Sequence, residues 1–204
     1  MKFRDAIITA AMAVTLFSAS AARADVIAFS VASVTDSNHD PNNVNLGSVF
    51  SISSAITVTS LGVYDSSYLK APETVTLYDS VGNALASQVF SSLGGPSQYI
   101  FSAVAPIVLT PGTYTVSAFT NGNAWAYGVS NTAPGINFLL NDYLYAGSPQ
   151  FPSTCCGSGP NYFGANFEFT TARTAVPEPM SLSLVGAGLA GIAALRRRKR
   201  AKPA

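Results

Sequence analysis

The stretch Leu109-Thr110-Pro111-Gly112-Thr113-Tyr114-Thr115-Val116-Ser117-Ala118-Phe119-Thr120 decides the fold. After Pro111-Gly112, Tyr114, Val116 and Ala118 fall on one face of an extended chain, and Thr113, Thr115 and Ser117 on the other. Before it stands a short apolar run over 107–109. Proline followed by glycine is the signature of the two central positions of a type II turn, where glycine supplies the positive φ. The stretch therefore predicts two strands joined at Pro111-Gly112.

The same signature recurs outward from this point. Runs at 74–78 and 84–90 flank Asp79-Ser80-Val81-Gly82-Asn83, which reads as a hairpin loop. Ile56-Thr57-Val58-Thr59 alternates and continues through Leu61-Gly62-Val63-Tyr64 to a break at Asp65-Ser66-Ser67. Residues 48–53 alternate through Phe50 and Ile52, and 26–33 form a mixed apolar run. Further strands are predicted at 125–129, 136–140 and 162–170, the last with Phe163, Ala165, Phe167 and Phe169 on one face. Residues 149–162, rich in Pro, Ser and Gly, read as loop. Helix signals are almost absent from 25–174. Many short strands with regular turn signals predict an all-β domain, an antiparallel β-sandwich of jelly-roll type, with a barrel as the alternative.

The net charge of +1 conceals a segregation of charge. From Asp25 to Thr170 eight acids face Lys70 alone, a net of −7. Such a domain excludes nucleic acid as a partner, because phosphate binding relies on Lys and Arg. Charged residues are 10% of the chain, against about 25% in ordinary soluble proteins. Ser, Thr, Asn and Gly supply the polar surface, which suits an extracellular β domain and leaves few groups for acid–base catalysis.

Candidate sites are correspondingly sparse. His39 is the only histidine, and no Gly-x-Ser-x-Gly surrounds any serine, so a catalytic triad is not expected. Asp36, Asn38 and Asp40 place three oxygen donors at alternate positions of an Asx-rich loop, a weak candidate for calcium. It is not an EF-hand: Pro41 stands where glycine is required and Gly47 where the bidentate glutamate belongs. A plain Asx-rich turn is the competing reading. Cys155-Cys156 in an exported chain reads as a strained vicinal disulfide, with free thiols or bonds between chains as alternatives. Among Tyr99, Trp125, Tyr127, Tyr143, Tyr145 and Tyr162, Trp125 is the best candidate for an exposed platform that stacks on sugars; core or cross-strand packing is the competing reading. The eight acids are scattered, with no pair of the kind glycoside hydrolysis uses, so no catalytic residue and no cofactor is expected.

Both ends of the chain read as address. Lys2 and Arg4 precede an apolar run over 7–22, and Ala22-Arg23-Ala24 fits the small-x-small cleavage rule, so residues 1–24 are predicted to be a signal peptide. Gly186, Gly188 and Gly191 spell the dinucleotide fingerprint, yet the residues that follow are Arg196, Arg197, Arg198, Lys199 and Arg200 without the acid that the motif requires. Met180 to Leu195 is instead an uncharged run of 16 residues. As a helix it reaches roughly 24 Å against a hydrocarbon core of ~30 Å, a deficit that snorkelling arginines cover. The basic end should stay in the cytoplasm.

Pro177-Glu178-Pro179, an apolar helix and an arginine-rich end, in that order, resemble the PEP-CTERM sorting signal. The domains are then 1–24, 25–174 and a tail of 175–204, divided into a linker over 175–179, a membrane helix over 180–195 and a basic end over 196–204. The resemblance implies a Gram-negative exopolysaccharide producer, export, an inner-membrane intermediate and processing near Pro177-Glu178-Pro179 by an exosortase. Leu46-Gly47-Ser48-Val49-Phe50, Leu61-Gly62-Val63-Tyr64-Asp65, Val75-Thr76-Leu77-Tyr78-Asp79 and Leu109 to Tyr114 are in turn similar to an uncharacterised β-sandwich domain that accompanies such tails. These readings together predict a non-catalytic protein of the cell surface or exopolysaccharide matrix. A glycan-processing enzyme and a permanently anchored single-pass membrane protein are the alternatives.

Overall fold

The computed structural model of the chain describes residues 24–39, 42–65, 72–92, 95, 98–121, 124–157 and 164–171. Within them lie β1 (Val26–Ile27), β2 (Phe29–His39), β3 (Asn43–Ile52), β4 (Ile56–Asp65), β5 (Glu73–Asp79) and β6 (Ala84–Phe90). The order continues with β7 (Gln98–Leu109), β8 (Gly112–Asn121), β9 (Ala124–Thr132), β10 (Ile136–Tyr145), β11 (Thr154–Gly157) and β12 (Ala165–Thr171). No helix occurs among the described residues.

One sheet has the order β1-β12-β4-β7 and the other β11-β10-β3-β8-β5-β6, while β2 and β9 form a separate two-stranded ribbon. The ladders run antiparallel. Setting aside the ribbon with β10 and β11, every successive connection crosses between the two sheets except the β5–β6 hairpin. First strand lies beside last. That is the connectivity of a jelly roll, and two separate sheets rule out the single closed barrel.

Alternation places the core between the sheets. Val58, Leu61, Val63, Phe167 and Phe169 from the smaller sheet meet Phe50, Ile52, Val75, Leu77, Val116 and Ala118 from the larger. Phe167 lies 4.9 Å from Phe50 and 5.9 Å from Phe29, the latter edge-on at 87°. Such ring pairs add about 0.5–1.5 kcal/mol each beyond the area they bury. The predicted faces hold: Val116 and Ala118 are fully buried and Tyr114 packs against them, and Ala165, Phe167 and Phe169 share the core face of β12. Phe163 lies outside the described residues.

Pro111-Gly112 does not make the predicted type II turn. β7 pairs with β4, whereas β8 pairs with β3 and β5, so the chain steps here from one sheet to the other. Gly112 already opens the β8 ladder opposite Ile52, and only Gly82 and Gly135 among the described glycines hold a positive φ. The Tyr114 hydroxyl closes the corner by donating to the Thr110 carbonyl at 2.9 Å.

The Asp79–Asn83 hairpin forms as predicted. One Asp79 carboxylate oxygen accepts from the Val81 and Asn83 amides at 3.0 and 2.8 Å, and the other accepts from the Asn83 side chain at 2.8 Å. Those hydrogen bonds, led by the one from the Asn83 side chain, hold the Asp79 carboxyl below its usual range.

Three segments depart from the sequence reading. Asp36 and Asn38 belong to β2, paired opposite Tyr127 and Trp125, rather than to a loop. A ladder to β9 satisfies backbone groups that an Asx turn would otherwise serve. The loop predicted over 149–162 contains β11, which adds a strand to the edge of β10. β7 begins at Gln98, well before the short apolar run, because pairing with β4 recruits a stretch whose own pattern is weak.

Asn166 explains why β1 and β2 separate at Ala28. Its side-chain amide donates to the Phe29 carbonyl at 2.6 Å and accepts from the Phe29 amide at 3.1 Å. A side chain thus stands in for the next step of the β1–β12 ladder, and the backbone is released towards β9.

Candidate functional site

The two ends of the sandwich differ, and the end where β3 begins gathers the chemically capable side chains. Register across the larger sheet sets Tyr145 opposite Val44, and Val44 opposite Thr120. Thr74 lies opposite Phe119, so Glu73, the first residue of β5, sits at the level of Thr120 and pairs with Phe90. Asp65 ends β4 at the same rim, because residues 66–72 join it directly to β5.

At one side of this rim an open cleft of about 630 Å³ is lined by Asn42, Asn43, Tyr145, Ala146 and Gly147. Its volume falls within the range of small-molecule sites. Tyr145 is 55% exposed, and its ring leans edge-on against Tyr143 at 5.8 Å and 74°. The Ala146 amide donates to the Asn43 carbonyl at 3.3 Å, fixing the turn out of β10. Just beyond, Asn45 pins the segment over 148–150, donating to the Ser148 carbonyl at 3.2 Å and accepting from the Gln150 amide at 2.8 Å. Phe151 then packs on Tyr78 at 5.4 Å across the outer face of the sheet. A supported exposed tyrosine beside two amide side chains offers a stacking surface with hydrogen-bonding groups around it, as a sugar ring requires.

At the other side are two buried carboxylates that the sequence reading treated as unrelated. Asp65 continues the inward face of Leu61 and Val63, and Glu73 that of Val75 and Leu77. They therefore point into the space between the sheets from opposite walls. Glu73 is 1% exposed and Asp65 5%. The Asp65 carboxylate accepts from the Gly95 amide at 3.0 Å, and Glu73 Oε1 has no hydrogen-bond partner. Burial, and secondarily the Asp65 charge, push the Glu73 carboxyl up to about 8. The usable signal is a carboxylate at an inward position of an alternating run.

The sites expected from sequence are dispersed. Asp36 and Asn38 lie on β2 and Trp125 on β9, with only their backbone described; Asp40 is outside the described residues. Cys155 lies on β11 opposite Asp142, with Cys156 next along the strand. Ala24 is exposed and in no strand, whereas Ala22, Pro177, Glu178 and Pro179, like the apolar run and the basic end, are outside the described residues. Among the described residues no three of His, Cys, Asp and Glu gather as a metal cluster, and no helix is long and apolar enough to cross a membrane.

Residues 30–163 match the family described as Domain of unknown function (DUF4082), and residues 175–199 match the PEP-CTERM protein-sorting motif. No curated protein and no solved structure matches the chain.

Proposed function

This chain belongs to the DUF4082 family and is a PEP-CTERM protein, and on that premise we propose that it is an exosortase-processed protein of the cell surface or extracellular matrix that associates with exopolysaccharide. The sorting motif carries the reading: it marks an exported protein handled by an exosortase at the membrane. Two prolines in the Pro177-Glu178-Pro179 sequence suit such processing, because proline withholds the hydrogen bonds of a helix.

The Tyr145 cleft supports the association with polysaccharide. Its aromatic face and the neighbouring Asn42 and Asn43 are neutral, so they recognise hydroxyls and ring faces rather than charge. The domain acts by binding and not by catalysis. A glycosidase pair must flank a sugar in an accessible cleft, whereas Asp65 and Glu73 are sealed between the sheets.

Mass spectrometry of C-terminal peptides from membrane and extracellular fractions of the native host tests the sorting step. Extracellular protein that ends near Pro177-Glu178-Pro179 is the expected outcome. Retention of Leu195 and the arginines on all of the protein would make the tail a permanent anchor. Binding is tested by retention on the host's purified exopolysaccharide. Tyr145→Ala should weaken it roughly tenfold, since stacking on one aromatic ring is worth about 1–2 kcal/mol, while the exposed position leaves folding within about 0.5 kcal/mol. Equal retention of both forms would remove the cleft from the proposal.

A further inference from the structure

The β2–β9 ribbon brings together two stretches that the sequence keeps far apart, the Asx-rich run and the aromatic run that begins at Trp125. From Asp36 to His39 the two strands pair without a register shift, with Asp36 opposite Tyr127 and Asn38 opposite Trp125. Directly opposed residues share a face of the ribbon, and so do residues two apart on one strand. Asp36, Asn38, Trp125 and Tyr127 therefore occupy one face, and Ser37, His39, Ala124 and Ala126 the other.

That first face is poorly composed for strand pairing alone. Aromatic residues in antiparallel pairs gain most from aromatic or β-branched partners, and Asp and Asn are depleted in strands. A stretch that breaks local rules and still pairs in register is where a functional site is expected. Both strands also run directly into the Tyr145 cleft. Asn38 precedes Asn42 of the cleft wall by four residues, and Trp125 follows by four residues Asn121, the partner of Asn43 in the same wall. Four residues span at most about 14 Å.

We propose that this face of the ribbon extends the Tyr145 cleft into one binding surface for successive units of a neutral polysaccharide chain, an inference that rests on the exopolysaccharide reading above. Trp125 and Tyr127 stand about 6.8 Å apart along β9 and supply aromatic rings for the C–H faces of sugars. Asp36 and Asn38 supply acceptors for hydroxyl groups, and Asn38 donors as well. Neither strand contains Lys or Arg, and the domain from Asp25 to Thr170 carries a net charge of −7. Chains bearing uronate, sulfate or phosphate are therefore disfavoured, which commits the site to neutral sugars.

Trp125 is the only tryptophan of the chain, so its fluorescence reports on this face alone. The full chain in detergent is titrated with the host's purified exopolysaccharide, separated by anion exchange into neutral and acidic fractions. Emission, acrylamide quenching and retention on each fraction are followed. The neutral fraction should shift the emission and protect Trp125 from quenching. Trp125→Ala and Tyr127→Ala should each weaken retention roughly tenfold; Tyr127→Ala keeps the probe and decides alone if Trp125→Ala fails to fold. Tyr145→Ala should weaken retention and still show the Trp125 response. Retention of the wild type with unchanged Trp125 emission and quenching overturns the inference and leaves the cleft as the whole site. A response to the acidic fraction alone overturns it too. Loss of retention on both fractions would overturn the exopolysaccharide reading itself, and this inference with it.

Discussion

The sandwich closes its two ends by different means. At one end the chain turns tightly, through the Asp79–Asn83 hairpin, the Thr110-Pro111 step between sheets and the turn before β10, where the Ile136 amide donates to the Ala133 carbonyl at 3.0 Å. Local hydrogen bonds and one positive-φ glycine in each of two turns do the work. At the other end, the β4–β5 and β6–β7 connections, 66–72 and 91–97, are longer, and two acids face inward. Tight turns make an end stable but chemically silent. The acidic rim gives up apolar contact and gains groups that titrate.

The largest expected effect tests that contrast directly. Glu73 should make the wild-type protein lose stability as pH rises. Its folded carboxyl, up to about 8 against an ordinary 4.5, keeps a proton that the unfolded chain has already released. Stability is therefore full below about pH 4.5, falls between there and about 8, and is level above. The loss is on the order of 4–5 kcal/mol, at about 1.4 kcal/mol per pH unit. Glu73→Gln cannot ionise and should flatten the slope, leaving the variant more stable than wild type at alkaline pH. Urea unfolding across that range checks it, and a wild-type curve without the slope would mean that Glu73 finds its neutralising partner inside the protein.

Asn166→Ala comes next. It strands the Phe29 amide and carbonyl in a buried site, at about 1–3 kcal/mol for each group left unpaired, so urea unfolding should show a loss of about 2–6 kcal/mol. Asn166→Asp should recover part of this, since a carboxylate still accepts from the Phe29 amide. A loss under about 1 kcal/mol for Asn166→Ala would show that the β1–β2 break does not depend on this side chain.

Legibility divides along the same line. β6 and the hairpin before it were readable because Asp79, Gly82 and the alternating runs on either side are local signals. The inward faces of β8 and β12 were readable because Val116, Ala118, Phe167 and Phe169 keep strict alternation. Position in a sheet was not readable at Pro111-Gly112: the dipeptide marks a turn, but whether that turn joins neighbours or changes sheets depends on the partners of β7 and β8, far away in sequence. The second half of β2 was missed for the same reason, its Asx-rich residues 36–39 being held extended by β9. The acid pair was hidden because Asp65 and Glu73 belong to different sheets, and only the crossing between them makes them face each other. Tyr145 was among the aromatics singled out, but its exposure follows from lying at the last rung of β10.

Two glycines give the smallest effects and the sharpest check on how the tight end is made. Gly82, at φ +89°, has the Phe151 ring 3.1 Å from where a Cβ would stand. Gly82→Ala should therefore cost about 1–2 kcal/mol, from left-handed strain and a displaced ring. Gly112 is the opposite case despite the prolyl-glycyl signature before it. Its φ lies outside the left-handed range, and an added Cβ meets nothing nearer than 3.7 Å, ordinary van der Waals contact. Gly112→Ala should be neutral or stabilise by about 0.4–1 kcal/mol, because alanine loses less freedom on folding. The pair separates two explanations of one end. If both variants lose stability alike, Pro111-Gly112 works as a left-handed turn after all. If only Gly82→Ala does, the step between sheets is held by strand pairing and by the Tyr114 hydroxyl on Thr110, and the glycine there is incidental.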